Sequence, residues 1–154
     1  MAERAPLLKS AGNRGTVKRL GDDILLIDDS YNSNPKALRS AIETLALAKG
    51  RRRVACVGNM LELGPGGPQL HHEAGAFIGP RVDLGVGPLA LEIVAGAAAL
   101  PNEAKRTFAT SADLAENISS LVRGHDAVLV KGSRGVRMER VVEALMAAHP
   151  GASA

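Results

Sequence analysis

The chain alternates short, mostly continuous apolar runs with longer segments in which apolar residues recur every three or four positions. The first pattern predicts strands buried on both faces, and the second predicts helices lying against a sheet. Strand-like runs fall at 16–20, 23–27, 53–57, 82–86, 105–108 and 126–130. The clearest helix begins at Pro35, which suits a first helical position, behind Asn34 as its cap. Leu38, Ala41, Ile42, Leu45 and Ala48 form its apolar stripe, and Gly50 ends it. Further helices are predicted over 71–78, over 89–100 begun by Pro88, and over 111–122 capped by Ser111. A final helix carries Met138, Val141, Val142, Leu145 and Met146 on one side. A turn at Gly21 and Asp22 lets the first strand pair antiparallel at one edge. The alternation predicts an α/β, Rossmann-like domain: a mainly parallel sheet of about six strands with helices on both faces. Residues 1–15 read as a lead-in or hinge remnant, 16–149 as the domain, and 150–154 as a frayed tail.

Composition narrows this picture. A length of 154 residues suffices for one domain with its own core. With no Trp, one Tyr and two Phe, that core must be aliphatic. The net charge of +3 includes Arg51, Arg52 and Arg53, which read as a solvated strand entrance. A nucleic-acid surface would need more basic residues on one face, or stacking aromatics, so no nucleic-acid partner is expected. The single Cys56 excludes an intrachain disulfide and a thiolate metal cluster, and reads as a small buried hydrophobe. The sequence contains no signal-peptide pattern and no apolar stretch of membrane-spanning length, which predicts a cytoplasmic chain with no membrane partner.

In a sheet of this kind ligands bind beyond the carboxyl ends of the strands. Three loops there carry chemistry. The first, DDSYNSNP at 28–35, is dense in carboxylates, amides and hydroxyls. Asp29 can accept hydrogen bonds from a ribose diol, Tyr31 offers a flat face to a base, and Asn32 can both donate and accept. Capping alone would need one such residue, and Asn34 fills that role. The loop at 131–135 supplies Lys131 and Arg134 beside the amides of 132–135, a pattern that suits an anion. A glycine turn with two solvated basic side chains fits that pattern equally well. In the loop at 58–64, Asn59 and Glu62 are the polar groups of a Gly/Pro-rich segment that reads as a connector. His71 and His72 are adjacent, so on a helix they diverge, and surface capping fits them better than a metal site. There is no Gly-Lys pair, hence no P-loop, and no G-x-G-x-x-G after the first strand. No local motif suggests a nucleophile–base triad.

At these residues the chain resembles a known family. DDSYNSNPKALRSAIETLA, VGNMLELG, LHHEAG and VLVKGSRGVRMERVVEAL, in that order, are similar to the C-terminal domain of the MurF members of the Mur ligase family. The similarity runs from about Arg14 to Leu145. MurF enzymes are UDP-N-acetylmuramoyl-tripeptide:D-alanyl-D-alanine ligases of peptidoglycan synthesis. The resemblance implies the third of three domains, closing over ATP held by the P-loop and Mg2+ ligands of a central domain. ATP would phosphorylate the tripeptide carboxylate, and the D-alanyl-D-alanine amine would displace phosphate from the acyl phosphate.

By the same resemblance Asp29 would contact the ribose, with Tyr31 and Asn32 near the base and sugar. Arg14 would be the hinge arginine reaching the phosphates, although residues 10–13 depart from the family's Pro-Gly-Arg. Lys131, Ser133 and Arg134 would lie near the incoming dipeptide. Asn59 stands where the family usually has Asp, and would belong to the same substrate side. The expectation is an excised C-terminal domain without catalytic residues or metal ligands of its own, inactive alone, with the N-terminal and central domains as its partners. Met1 would then be an artificial start or a native internal residue. The alternatives are a stand-alone, non-catalytic Rossmann-like binding module, or a domain of another Mur or folylpolyglutamate-type ligase. Ser30-Tyr31-Asn32 favours the MurF kind.

Overall fold

Strands and helices alternate as the apolar pattern requires. The computed structural model describes residues 16–30, 33–60, 64–88 and 91–151. The strands are β1 (Thr16–Arg19), β2 (Leu25–Asp29), β3 (Arg53–Val57), β4 (Leu84–Pro88), β5 (Lys105–Phe108) and β6 (Ala127–Lys131). The helices are α1 (Pro35–Ala46), α2 (Gly67–Ile78), α3 (Leu91–Gly96), α4 (Ser111–Leu121) and α5 (Glu139–Ala148). The sheet order is β1-β2-β6-β3-β4-β5. All neighbours run parallel except β1, which pairs antiparallel with β2 at the edge.

Each central strand serves two cores because successive side chains point to opposite faces. Ile27, Ala55, Val57, Ala127 and Leu129 meet Leu38, Ile42 and Leu45 of α1, Ala74 and Ile78 of α2 and Ile93 of α3. Leu26, Val54, Cys56, Val128 and Val130 meet Leu114 and Ile118 of α4 and Val141, Val142 and Leu145 of α5. The helices thus divide three to one face and two to the other. The reason is handedness. From β2 through β5 the chain advances in one direction across the sheet. It then returns from β5 to β6, and a right-handed crossover in the reverse direction must use the opposite face.

Several boundaries move from their sequence expectations. β2, β4 and β6 extend to Asp29, Pro88 and Lys131, so three residues expected in loops or at a helix start end strands instead. Pro88 is tolerated because β4 pairs with β3 only as far as Val86; beyond that it pairs with β5 alone. Helix α1 stops at Ala46, and Gly50 (φ 79°) closes the turn that follows. Helix α2 starts earlier, at Gly67. Helix α3 ends at Gly96 rather than at Leu100. Its Gly96 packs so closely on α2 that a Cβ there would lie 1.9 Å from the His72 carbonyl oxygen. Thr110, not Ser111, caps α4, accepting the Asp113 N–H at 3.0 Å. On α5, Met138, Val141, Val142 and Leu145 are buried but Met146 is exposed. Gly21 donates to the His149 carbonyl at 3.0 Å, and a Cβ on Gly21 would lie 2.5 Å from the Pro150 oxygen.

The arginine run is not a solvated entrance. Arg51 donates to the Asp23 carbonyl (2.6 Å) and the His125 carbonyl (3.2 Å). Arg52 forks onto the buried Asp126 carboxylate at 3.2 and 2.8 Å and also reaches the Leu121 carbonyl. Arg53 donates to the Ala46 carbonyl. Three consecutive side chains thereby fasten α1, α4 and the β1–β2 turn beneath the sheet, opposite the carboxyl ends of the strands.

Two predictions follow from this scaffold. Burial pushes the Cys56 thiol up to about 12. Thiolate is the reactive form, so at pH 8 an aromatic disulfide reagent should label Cys56 only after denaturant unfolds the chain. Rapid labelling of the native chain would contradict this core. Asp23 is held below its ordinary 3.8, first by the hydrogen bond with His125, then by Arg51 and Arg19. A carboxylate with a depressed folded value adds stability above its unfolded value and loses it on acidification. Urea midpoints of the chain and of Asp23→Asn should therefore differ at pH 6, begin to draw together as pH falls below 3.8, and converge only below the lowered folded value of Asp23. A difference that persists unchanged at low pH would contradict the ion-pair account.

Candidate functional site

The candidate site lies where the sheet order reverses. β6 is inserted between β2 and β3, so the segments leaving these three strands emerge side by side. That reversal opens a crevice at the strands' carboxyl ends, and it brings the three sequence-predicted loops together.

The register is specific. Asp29 pairs across with Lys131, and Lys131 with Val57, each the last residue of its strand. By alternation all three side chains leave the sheet on the α1–α2–α3 face, with Ile27, Leu129 and Ala55 behind them. Lys131 is therefore a strand residue, and its side chain has 0% exposure. It stands among the largest fully buried side chains of the described chain. Its Nζ donates to Asp29 Oδ2 at 2.8 Å. The solvated-lysine alternative is corrected here: strand pairing carries the side chain inward, and Asp29 supplies the counter-charge. The other carboxylate oxygen, Asp29 Oδ1, is buried with no hydrogen-bond partner among the described residues. A buried acceptor left unmade costs about 1–3 kcal/mol, so this atom is primed for a donor.

Asp28 points the other way and does structural work. Its Oδ1 accepts the Ser30 hydroxyl at 2.8 Å and the Ser30 N–H at 3.3 Å, and its Oδ2 takes Lys18 of the edge strand at 3.2 Å. Asn34 caps α1 as expected, its Oδ1 accepting the Ala37 N–H at 2.8 Å. The polar turn thus divides its labour. Asp28, Ser30 and Asn34 hold the backbone, and Asp29 faces its buried lysine.

The second and third loops are joined through their backbones. Gly58 donates to the Lys131 carbonyl at 2.8 Å, and Ser133 donates to the Asn59 carbonyl at 3.3 Å. The closeness needs glycine. A Cβ on Gly132 would lie 2.7 Å from Met138 Cγ, and one on Gly58 2.8 Å from Val136 Cγ1. Asn59 and Ser133 therefore sit together, Asn59 half-buried and Ser133 buried. Arg14, Tyr31, Asn32 and Glu62 lie outside the described residues, as does the Arg134 side chain, although Arg134 opens the short turn Arg134–Val136.

His71 is corrected. It is buried rather than a surface cap, with Nε2 accepting the Met60 N–H at 2.8 Å and Nδ1 facing the Gly67 carbonyl at 2.7 Å. This arrangement requires the neutral tautomer with hydrogen on Nδ1. The imidazole pins the second loop to α2. The signal was readable in the sequence: His71 continues the buried stripe of Ala74, Gly75 and Ile78. Among the described residues no group of three His, Cys, Asp or Glu side chains could hold a metal ion. No described helix is long and apolar enough to cross a membrane.

With this geometry in place, comparison with known proteins is decisive. Residues 13–134 match the family described as Mur ligase, glutamate ligase domain. The chain belongs to the Mur ligase family. A UDP-N-acetylmuramoyl-tripeptide–D-alanyl-D-alanine ligase of Synechocystis is 30% identical over 144 residues, covering 89% of the chain and 31% of the relative. The enzyme of the same name from Escherichia coli is 32% identical, covering 90% of the chain and 30% of its own length. A MurF ligase from Thermotoga maritima, solved with ADP, superposes with a TM-score of 0.73 at 30% identity over 92% of the chain and 32% of that structure. The chain thus spans about a third of the length of the curated relatives it matches. The resemblance seen in the motifs and the six-stranded, mainly parallel fold with its antiparallel edge are both borne out.

The buried pair yields a direct test. Lys131→Ala leaves the Asp29 carboxylate buried beside no ammonium, and breaking such a pair costs about 3–5 kcal/mol. Replacing both members, as Asp29→Asn with Lys131→Met, should recover most of that loss in urea unfolding. A Lys131→Ala variant as stable as the parent would contradict a buried ion pair.

Proposed function

We propose that the chain is the nucleotide- and acceptor-facing third domain of an ATP-dependent amide ligase. That ligase adds D-alanyl-D-alanine to UDP-N-acetylmuramoyl-tripeptide in cytoplasmic peptidoglycan synthesis. The observation that carries this reading is Asp29, at the switch point between β2 and β6 with a buried oxygen lacking a donor among the described residues. A ribose hydroxyl supplies that donor, and Tyr31 and Asn32 follow directly in sequence to meet the base and sugar. By the family resemblance Arg14 would be the residue that serves the phosphates. By the same resemblance Asn59, Lys131, Ser133 and Arg134 would serve the dipeptide.

In the reaction a carboxylate oxygen of the tripeptide attacks the γ-phosphorus, and ADP leaves. The dipeptide amine then attacks the acyl carbon, an amide bond forms, the amine loses a proton, and phosphate departs with the carboxylate oxygen. This domain contributes positioning and excludes water when it closes. It has no P-loop to grip the triphosphate. By the family resemblance the Mg2+ of the reaction would be held by the central domain, and no step is assigned to it here.

Two relatives named as tripeptide–D-alanyl-D-alanine ligases support this reading over a folylpolyglutamate-type ligase or a stand-alone binding module. The test joins the chain to N-terminal and central domains of a MurF ligase and measures phosphate release. Release should require ATP, the UDP-linked tripeptide and D-alanyl-D-alanine together, and the chain alone should release none. Turnover with glutamate as acceptor, or no turnover from the joined protein, would overturn it.

A further inference from the structure

The ion pair at the mouth of the sheet is asymmetric, and the ligase reading uses only its unpartnered oxygen, not its lysine. Asp29 Oδ2 takes the Lys131 ammonium at 2.8 Å, while Oδ1 is buried without a partner among the described residues. The two residues are register partners at the ends of adjacent parallel strands, so the sheet backbone sets their separation. A carboxylate alone turns broadly about its last torsion. One anchored through a single oxygen to a buried ammonium does not, and its second oxygen keeps a fixed place.

We propose that Lys131 is a positioning residue for nucleoside binding: it clamps Asp29 Oδ2 so that Oδ1 is held as the acceptor for the hydroxyls of a ribose. The proposal rests on the nucleotide reading of Asp29 given above. It moves Lys131 from the dipeptide side, where the family resemblance places it, to the nucleotide side. Two observations and one general principle favour the move. The Lys131 side chain has 0% exposure, and its ammonium is already engaged by Asp29. Its neighbours in register are Asp29 and Val57, one charged and one apolar, so the sheet directs the ammonium toward β2. A polar contact held by packed elements is more accurate than one carried on a loop, which is the property a ribose diol needs.

The distinctive readout is hydroxyl preference, the ratio of Kd for 2′,3′-dideoxyadenosine diphosphate to Kd for adenosine diphosphate. It is measured by chemical-shift titration of the full chain. The parent should prefer the diol about tenfold or more, as expected for one charge-assisted hydrogen bond. In Asp29→Asn, in Lys131→Met and in the double variant the ratio should fall close to one, without the losses adding. Lys131→Met that keeps the tenfold preference overturns the positioning role but leaves the nucleotide reading intact. The same holds if Lys131→Met weakens both nucleotides equally, which would mark a direct phosphate or structural contact. A parent that binds both nucleotides alike, or Asp29→Asn that retains the preference, removes the nucleotide reading itself.

Should Lys131→Met fail to fold, the parent supplies the same test. Adenosine diphosphate should shift the Asp29 carboxyl carbon and the Lys131 side-chain nitrogen together, and the dideoxy nucleotide should shift neither. An Asp29 response with a silent Lys131 would overturn the clamp.

Discussion

A lysine ammonium cannot be sealed into the middle of a sheet unless a carboxylate meets it. In this domain Lys131, with no exposed side-chain surface, is met by Asp29 at 2.8 Å from the adjacent strand. Much of the site's geometry depends on that contact. It joins the carboxyl ends of β2 and β6 at the point where the sheet order reverses. Leaving either charge alone in that place would cost several kcal/mol, so the pair disfavours a slip of register between the two strands. A one-residue slip of either strand would turn its own charged side chain to the opposite face and part the two charges. Stability and site geometry therefore rest on the same two residues.

The two ends of the sheet are built by different means. Below, Arg51, Arg52 and Arg53 reach backbone carbonyls and carboxylates of α1, α4 and the β1–β2 turn, fastening the ends where no ligand is expected. Above, the second and third loops are joined to each other through their backbones. Gly58 and Gly132 allow the second and third loops to lie against each other, and His71 pins the Met60 amide to α2. Side chains such as Asn59 are then not needed to hold their own loops. The cost is a buried carboxylate oxygen without a donor among the described residues, a local penalty of the sort found at functional sites.

Much of the architecture was legible in the sequence, because apolar runs and three-to-four periodicity report burial directly. The order of elements, the antiparallel edge, the Asn34 cap and the buried Cys56 were all readable. Strand ends were less so. Asp29 and Lys131 follow apolar runs and look like loop residues, yet the ladder extends to include them. Their pairing depends on which strands are neighbours, and no local pattern encodes that β6 enters between β2 and β3. The same limit hid the arginine contacts, whose partners are up to 74 residues away. His71 was misread for a different reason. Its polarity outweighed its place on a buried helical stripe that the periodicity already showed.

The central claim is that a charged lysine is sealed inside this domain by Asp29. The most direct measurement is nitrogen-15 NMR of the lysine side chains, which detects ammonium groups by the exchange rate of their protons. The account predicts one ammonium, assignable to Lys131, whose protons exchange slowly with water and show contacts to Asp29. That protection should vanish in Asp29→Asn. If every lysine ammonium exchanges at the rate of a solvated side chain, the buried pair does not exist in solution and the account of the site is wrong.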